Sequence, residues 1–370
     1  MNTVVDLFCG CGGLSLGAAN AGLFPAVSID VDRTLSSAYA LNFPHSKILN
    51  EDLLTLDPAS LAHFLGSDRL TAILGGPPCQ GFSVMGRRKV NDPRNALLLS
   101  YFRNVAALRP RFFFMENVPG LMEETNRGAL DRALDILPSS YKVLDPLILD
   151  AADYGAATSR PRLVVIGYDP SEMDHLTKAD LVAAKVGLRP TVRDAIGDLP
   201  GPTVKDEWVP YPAKIVPTEY GTRMRRPPPE QLGSKLAIEK LAQGLISGFQ
   251  PTVHTVAVEE RFAKLEAGRR DKISKYPKLS WERSAYVLRA GTGSEKGSFQ
   301  AARPVHPEEP RVITVREAAR IQGFPDWFQF HPTKWHSHRM IGNSVAPPFA
   351  EAVLKVIVSK MGLDKFVRAA

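Results

Sequence analysis

The chain has 370 residues, 46 Lys+Arg against 39 Asp+Glu, a net charge of +7 and three cysteines. That length is too great for one small core and suits two domains; no run reads as long enough to span a membrane, and no cleaved leader is expected before the first apolar strand. Cys9, Cys11 and Cys79 make no disulfide framework, and Cys9-x-Cys11 is too tight for the usual zinc spacing, so a reducing cytoplasm is expected and no metal. The basic balance favours an acidic partner such as nucleic acid, though many basic proteins bind none.

Residues 3–8 (Thr-Val-Val-Asp-Leu-Phe) read as a first buried strand, and Cys9-Gly10-Cys11-Gly12-Gly13 turns into a helix over 14–21. Strand, glycine-rich turn and helix make a nucleotide-binding crevice. The glycines depart from the dinucleotide fingerprint, since Ser15 stands at its third position. Acids help to discriminate further: Asp6 is expected to end the first strand, Asp30 the second (26–29), and Asp52 to follow the third (47–49). A pyrophosphate prefers helix N-termini and basic groups, whereas a sulfonium and an ammonium prefer carboxylates. The acids therefore favour S-adenosylmethionine over a dinucleotide. Each taken singly could be a helix cap or a surface residue.

Residues 70–74 predict a further buried strand, stopped by Gly75-Gly76-Pro77-Pro78-Cys79-Gln80-Gly81-Phe82-Ser83. Glycines and prolines fix a stiff turn that sets Cys79 at a strand's carboxyl end, where open α/β sheets bind ligands. A lone cysteine is more often a small buried hydrophobe; the prolines before it and the polar Gln80 after it favour a nucleophile. The basic, glycine-bearing stretch 84–95 reads as a lid, or as an ordinary solvated charge run. A helix is expected over 96–108, then an apolar strand over 111–115 ending in Glu116-Asn117-Val118. Glu116 there can hold a proton for a ring nitrogen, or cap the next helix. Residues 144–150 and 162–168 read as the last strands, with Arg160 and Arg162 between them. From about 170 the texture changes to prolines and basic groups such as Arg223-Met224-Arg225-Arg226. Thr314 before Glu317 is a capping box that opens an amphipathic helix closed by Gly323. A helix through about residue 360 ends the readable chain.

As a set, these blocks resemble the DNA (cytosine-5) methyltransferases, in the family's order and over most of the chain except about 170–300. Pro77-Pro78-Cys79-Gln80 resembles the catalytic motif, Glu116-Asn117-Val118 the second catalytic motif, and Thr158-x-Arg160-x-Arg162 a Gln-x-Arg-x-Arg motif in which Thr158 replaces the glutamine. The resemblance implies a Rossmann-like α/β sheet for S-adenosylmethionine (residues 1–185 plus 340–370) and a smaller target-recognition domain (186–339). It implies Cys79 as nucleophile on carbon 6 of cytosine, with Glu116, Arg160 and Arg162 around the base. The donor would meet Asp6, Phe8, Gly10, Gly12, Gly13, Asp30, Val31, Asp52, Leu53, Pro77, Leu97, Asn343, Ser344 and Val345. Ser83, Met85 (a wedge candidate), Arg87 and Arg94 would meet DNA. The products would be S-adenosylhomocysteine and 5-methylcytosine in a specific double-stranded sequence, the base being flipped out. The short chain resembles a bacterial restriction-modification enzyme. That implies a cytoplasmic, nucleoid-associated monomer with a restriction endonuclease acting separately. A tRNA methyltransferase of the same fold is disfavoured by Gly81-Phe82, a non-catalytic DNA binder by the intact motifs, and a nicotinamide oxidoreductase by the acids and Ser15.

Overall fold

The computed structural model describes residues 2–65, 69–78, 95–204, 207–291 and 303–363. Cys79, Ser83, Met85, Arg87 and Arg94 lie outside them.

The expected apolar runs become the strands of one mixed sheet. These are β1 (Thr3–Leu7), β2 (Phe24–Ile29), β3 (Lys47–Leu49), β4 (Ala72–Gly75), β5 (Phe112–Asn117), β6 (Lys142–Val143), β7 (Leu147–Asp150) and β8 (Pro161–Tyr168). Their order is β3-β2-β1-β4-β5-β8-β6, with β7 also pairing β8. The first five are mutually parallel and β8 is antiparallel to β5. Every residue of β4 and β5 is buried, as central parallel strands covered on both faces require. From β1 the chain winds outward through β2 and β3, and from β4 it winds the other way. The crevice therefore opens over the carboxyl ends of β1 and β4, at the switch point where such sheets take ligands.

Helices cover both faces. On one, Tyr101, Phe102 and Val105 of the helix Asn95–Leu108 pack on Val5, Leu7, Ile73 and Phe113. On the other, the helices Gly13–Asn20 and Pro347–Lys360 pack side by side over Val4, Leu74, Phe112 and Phe114. A Cβ on Gly17 would stand 2.3 Å from the Ala350 Cβ and 2.8 Å from the Glu351 N, so only glycine permits that approach. The last helix thus closes the layer that the first helix begins.

Between residue 190 and residue 330 the helices are short. The buried cluster there, including Ala195, Phe249, Leu279, Trp327 and Phe328, is continuous with Cys9, Cys11, Leu16, Tyr39 and Phe43. A two-stranded ribbon, β9 (Val209–Pro210) with β10 (Leu245–Ile246), lies in this part. The capping box forms as expected: Thr314 accepts from Glu317 N and the Glu317 carboxylate accepts from Thr314 N, opening the helix Val315–Gln322. The helix differs from an amphipathic surface helix in that all eight residues are buried. Its charges are paired inward: Arg320 lies 2.6 Å from Asp326 and 3.2 Å from Asp198, and Glu317 lies 2.8 Å from Arg311.

By length and composition the stretch Lys334–Lys360 would suffice to cross a membrane. It is instead two core helices, Lys334–Asn343 and Pro347–Lys360, with 72% of its apolar window buried in the protein.

Candidate active site

After β1 the chain leaves the sheet through Phe8, a non-glycine residue held at φ 65°, a left-handed conformation that side chains adopt at some cost. Gly10 N then donates to Asp30 Oδ2 at 2.8 Å, and Asp32 N donates to Asp30 Oδ1 at 2.8 Å. Asp30 at the end of β2 is thereby locked against the glycine turn. Burial pushes its carboxyl up, against the lowering effect of these two N–H donors. A Cβ on Gly13 would fall 1.9 Å from Ser344 Oγ and 2.3 Å from Val345 O. The Asn343-Ser344-Val345 segment therefore packs directly on the turn, and Gln322 Nε2 holds it there by donating to Ser344 O at 2.7 Å.

Val31, Asp52, Leu53 and Pro77 follow the carboxyl ends of β2, β3 and β4, the edge where the donor rim is expected. Val31 stands 65% exposed beside Asp30, a large apolar group left open at a strand end. Asp52 is exposed and accepts from Leu54 N at 2.9 Å, while Leu53 is buried. Leu97 is half-buried in the helix Asn95–Leu108, and Pro77 is buried. Asp6 differs from its expected place. It lies inside β1, paired in register with Ser28 and Leu74, and is 1% exposed. Ser15 donates to its Oδ2 at 2.5 Å, Tyr39 donates to Ser15 at 2.8 Å, and Ser28 joins Tyr39 at 2.5 Å. Asp6 is thus a buried anchor beneath the turn, not a member of the exposed rim.

Glu116 and Asn117 are the last two residues of β5, at the strand end where the sequence reading put the carboxylate. Their antiparallel partners on β8 are Val164 and Leu163, which brings Arg162 beside them. Arg162 Nε lies 2.7 Å from Glu116 Oε1, both side chains being 11% exposed. The other carboxylate oxygen faces the stiff turn after β4: a Cβ on Gly76 would stand 3.4 Å from Glu116 Oε2. Asn117 Nδ2 donates to Pro77 O at 3.2 Å, so the residue after the carboxylate pins the stiff turn. Arg160 points elsewhere. It is 3% exposed, its guanidinium donates to Leu288 O at 3.2 Å, and its N–H donates to Asp150 Oδ1 at 2.7 Å. Thr158, which stands where the resemblance expects glutamine, is fully buried and donates to Tyr286 O at 3.1 Å. Both residues tie the sheet to the 285–288 segment. Of the cysteines, Cys9 and Cys11 are buried in the turn. Burial pushes the Cys11 thiol up to about 12, and burial followed by the Asp6 and Asp30 charges pushes Cys9 well above its usual range. Neither is a thiolate at neutral pH.

The model of the C-5 cytosine-specific DNA methylases matches residues 2–359. The chain belongs to that family. Its enzymes are DNA cytosine-5 methyltransferases, and S-adenosylmethionine is their general methyl donor. The chain is 37% identical to the type II methyltransferase M.XorII of Xanthomonas oryzae pv. oryzae, over 94% of this chain and 82% of the relative. It is 32% identical to the type II methyltransferase M.DdeI of Desulfomicrobium norvegicum, over 96% and 88%. A crystal structure described as a DNA modification methyltransferase encoded within an E. coli prophage superposes with a TM-score of 0.86 at 37% identity, covering 98% of this chain and all of the other. The S. pombe Dnmt2 methyltransferase shares the fold, with a TM-score of 0.64 at 16% identity over 97% and 99% of the chains.

Sequence reasoning overlooked Asn117 as the pin of the turn, although it stands in the quoted Glu116-Asn117-Val118. It also overlooked the Ser15–Tyr39–Ser28 support of Asp6, for which no local spacing gives a signal.

Proposed function

We propose that the protein methylates carbon 5 of a flipped-out cytosine within a specific double-stranded DNA sequence, through a covalent adduct with Cys79. The observation that carries this reading is the Glu116–Arg162 pair at the end of β5, with Gly76 and Pro77 held alongside it and the donor rim next to it.

The rim suits S-adenosylmethionine. The Phe8-to-Gly13 turn gives the backbone close access, Asp30 and Asp52 offer carboxylates, and Val31 is open to line the adenine pocket. Gly10, Gly12, Gly13, Leu53, Pro77, Leu97, Asn343, Ser344 and Val345 complete this wall, and Asp6 supports it from below. When bound, S-adenosylmethionine supplies an electrophilic methyl group. Cys79, as thiolate, adds to carbon 6 of the ring and makes carbon 5 enamine-like and nucleophilic. Glu116 holds the ring nitrogen and amino group, and Arg162 holds both Glu116 and the carbonyl oxygen. After methylation, loss of the carbon-5 proton expels the thiolate and restores the ring. Arg160 supports the site through the 285–288 segment. Ser83, Met85, Arg87 and Arg94 act on the DNA from the stretch after Cys79, and residues 186–339 read the target. Base extrusion costs about a few kcal/mol, which backbone contacts offset. The protein acts as a monomer in the bacterial cytoplasm, with a restriction endonuclease working separately on the same sequence.

Duplex DNA carrying 5-fluorocytosine at the target tests the chemistry, because fluorine cannot leave carbon 5 as a proton does. With S-adenosylmethionine present, the wild type is expected to give a protein–DNA species that survives denaturing electrophoresis. Cys79→Ser is expected to give none, to lose turnover and to keep duplex binding. A Cys79→Ser protein that methylates at near wild-type rate would overturn the adduct.

A further inference from the structure

Two cations in the second part of the chain converge on neutral partners. Arg303 Nη1 donates to Thr252 Oγ1 at 2.7 Å, and Lys334 Nζ donates to Pro251 O at 2.6 Å. Three arginines elsewhere in this part sit on carboxylates, Arg311 on Glu317, Arg320 on Asp326 and the partly buried Arg261 on Asp271, while the buried Arg316 and Lys278 donate to backbone carbonyls. Among the described residues Arg303 and Lys334 have no such partner. Burial pushes both below their usual range, and Arg303 pushes Lys334 further. His338, one helical turn after Lys334, is driven well below its usual range by burial and then by these two charges. Among the described residues the two charges are therefore left without an offsetting carboxylate.

Two further features mark where an anion would go. Lys334 is the first residue of the helix Lys334–Asn343, whose Thr333 cap makes no side-chain hydrogen bond. The open N–H groups add the positive end of the helix to the two cations. Arg303 and Thr252 also line a cavity of about 360 Å³ with His254, Ser274 and Tyr276, which is room for a tetrahedral oxyanion. We propose that Arg303, Lys334 and the Thr252 hydroxyl seat one phosphodiester group of the DNA backbone. The inference rests on the reading of the protein as an enzyme of duplex DNA. Because the acceptors are consecutive residues, the two cations grip one phosphate. The helix from Lys334 to Asn343, about 14 Å at 1.5 Å per residue, then sets that phosphate at a fixed distance from the donor rim.

The test is the salt dependence of duplex binding by the full chain, read by fluorescence anisotropy for the wild type, Arg303→Gln, Lys334→Gln and the double variant. Losing one phosphate contact lowers the slope of log affinity against log salt by about 1. Between 50 and 200 mM salt the variants should thus lose about fourfold less affinity than the wild type, on target and non-target DNA alike. The double variant should go no further than either single one, and Arg303→Lys should keep the wild-type slope. Unchanged donor affinity by calorimetry shows that the variants are folded. A wild type that methylates DNA beside variants with its own slope overturns this seat alone. A double variant whose slope falls by about 2 overturns the single phosphate. A wild type that neither binds nor methylates duplex DNA overturns the functional reading, and the seat with it.

Discussion

Asp6 accepts from Ser15 on one oxygen, while its other oxygen is buried without a donor. Burial pushes this carboxyl up to about 7 from an ordinary 3.8, and the Ser15 hydrogen bond offsets part of that. The sign follows from proton counting. Between about pH 4 and pH 7 the folded chain keeps a proton that the unfolded chain has lost, so stability falls as pH rises through that window and levels off above it. At about 1.4 kcal/mol per pK unit, the loss is at most on the order of 4 kcal/mol. Asp6→Asn keeps the shape and removes the titration. Urea denaturation at pH 4, 5.5 and 7 should show the variant gaining steadily on the wild type. A constant difference between the two would mean that Asp6 titrates alike when folded and unfolded. The sequence marks this residue as an acid near a strand end but not which way it faces. Its neighbours Val5 and Leu7 are buried as well, because β1 is covered on both faces, so Asp6, one residue short of the strand end, is buried whichever way it faces. Glu116 and Asn117, read as closing the apolar run of 111–115, are the last two residues of β5.

At the scale of elements, legibility followed how local the determining signals are. The helix Val315–Gln322 was readable because Thr314, Glu317 and Gly323 are close in sequence and each has a fixed role at a helix end. What was not readable is that Glu317 also takes both oxygens to Arg311, at 2.8 Å each, while fully buried. β3 matched its expected span, since Lys47-Ile48-Leu49 is bounded by polar residues. β4 starts at Ala72 rather than at residue 70, because Ala72 is where pairing with β1 begins in register at Val4. The part between 190 and 330 was opaque. Its helices are five to eight residues long, and their stability comes from distant partners such as Asp198 with Arg320. The two roles of Glu317 can be separated. Thr314→Ala removes one cap acceptor and should cost about 1 kcal/mol. Glu317→Gln breaks a buried ion pair and leaves Arg311 short of its counter-charge, which should cost about 3–5 kcal/mol. Urea midpoints at constant m-value measure both. Equal losses would show that the ion pair adds nothing beyond the cap.

On the scale of the whole molecule, both ends of the chain meet in one layer. The helix Pro347–Lys360 buries Phe349, Val353, Leu354, Ile357 and Val358 against the sheet and the helix Gly13–Asn20. Five such side chains are worth roughly 8–15 kcal/mol at 1.5–3 kcal/mol each, as an upper bound. That is the size of a whole domain's net stability, about 5–15 kcal/mol. A chain ended after Ala346 keeps Asn343, Ser344 and Val345, and with them every side chain proposed to meet the donor. It nevertheless loses the support on which the glycine turn rests, because the turn runs directly into the helix that Pro347–Lys360 covers. Such a truncation should therefore abolish donor binding in calorimetry together with the near-ultraviolet dichroism of the core. Gly17→Leu, which only forces the two helices apart, should cost about 1–3 kcal/mol and weaken donor binding without abolishing it. If the truncated chain instead binds S-adenosylmethionine with full affinity, the turn holds its shape from β1 and Asp30 alone, and the last helix serves stability but not the site.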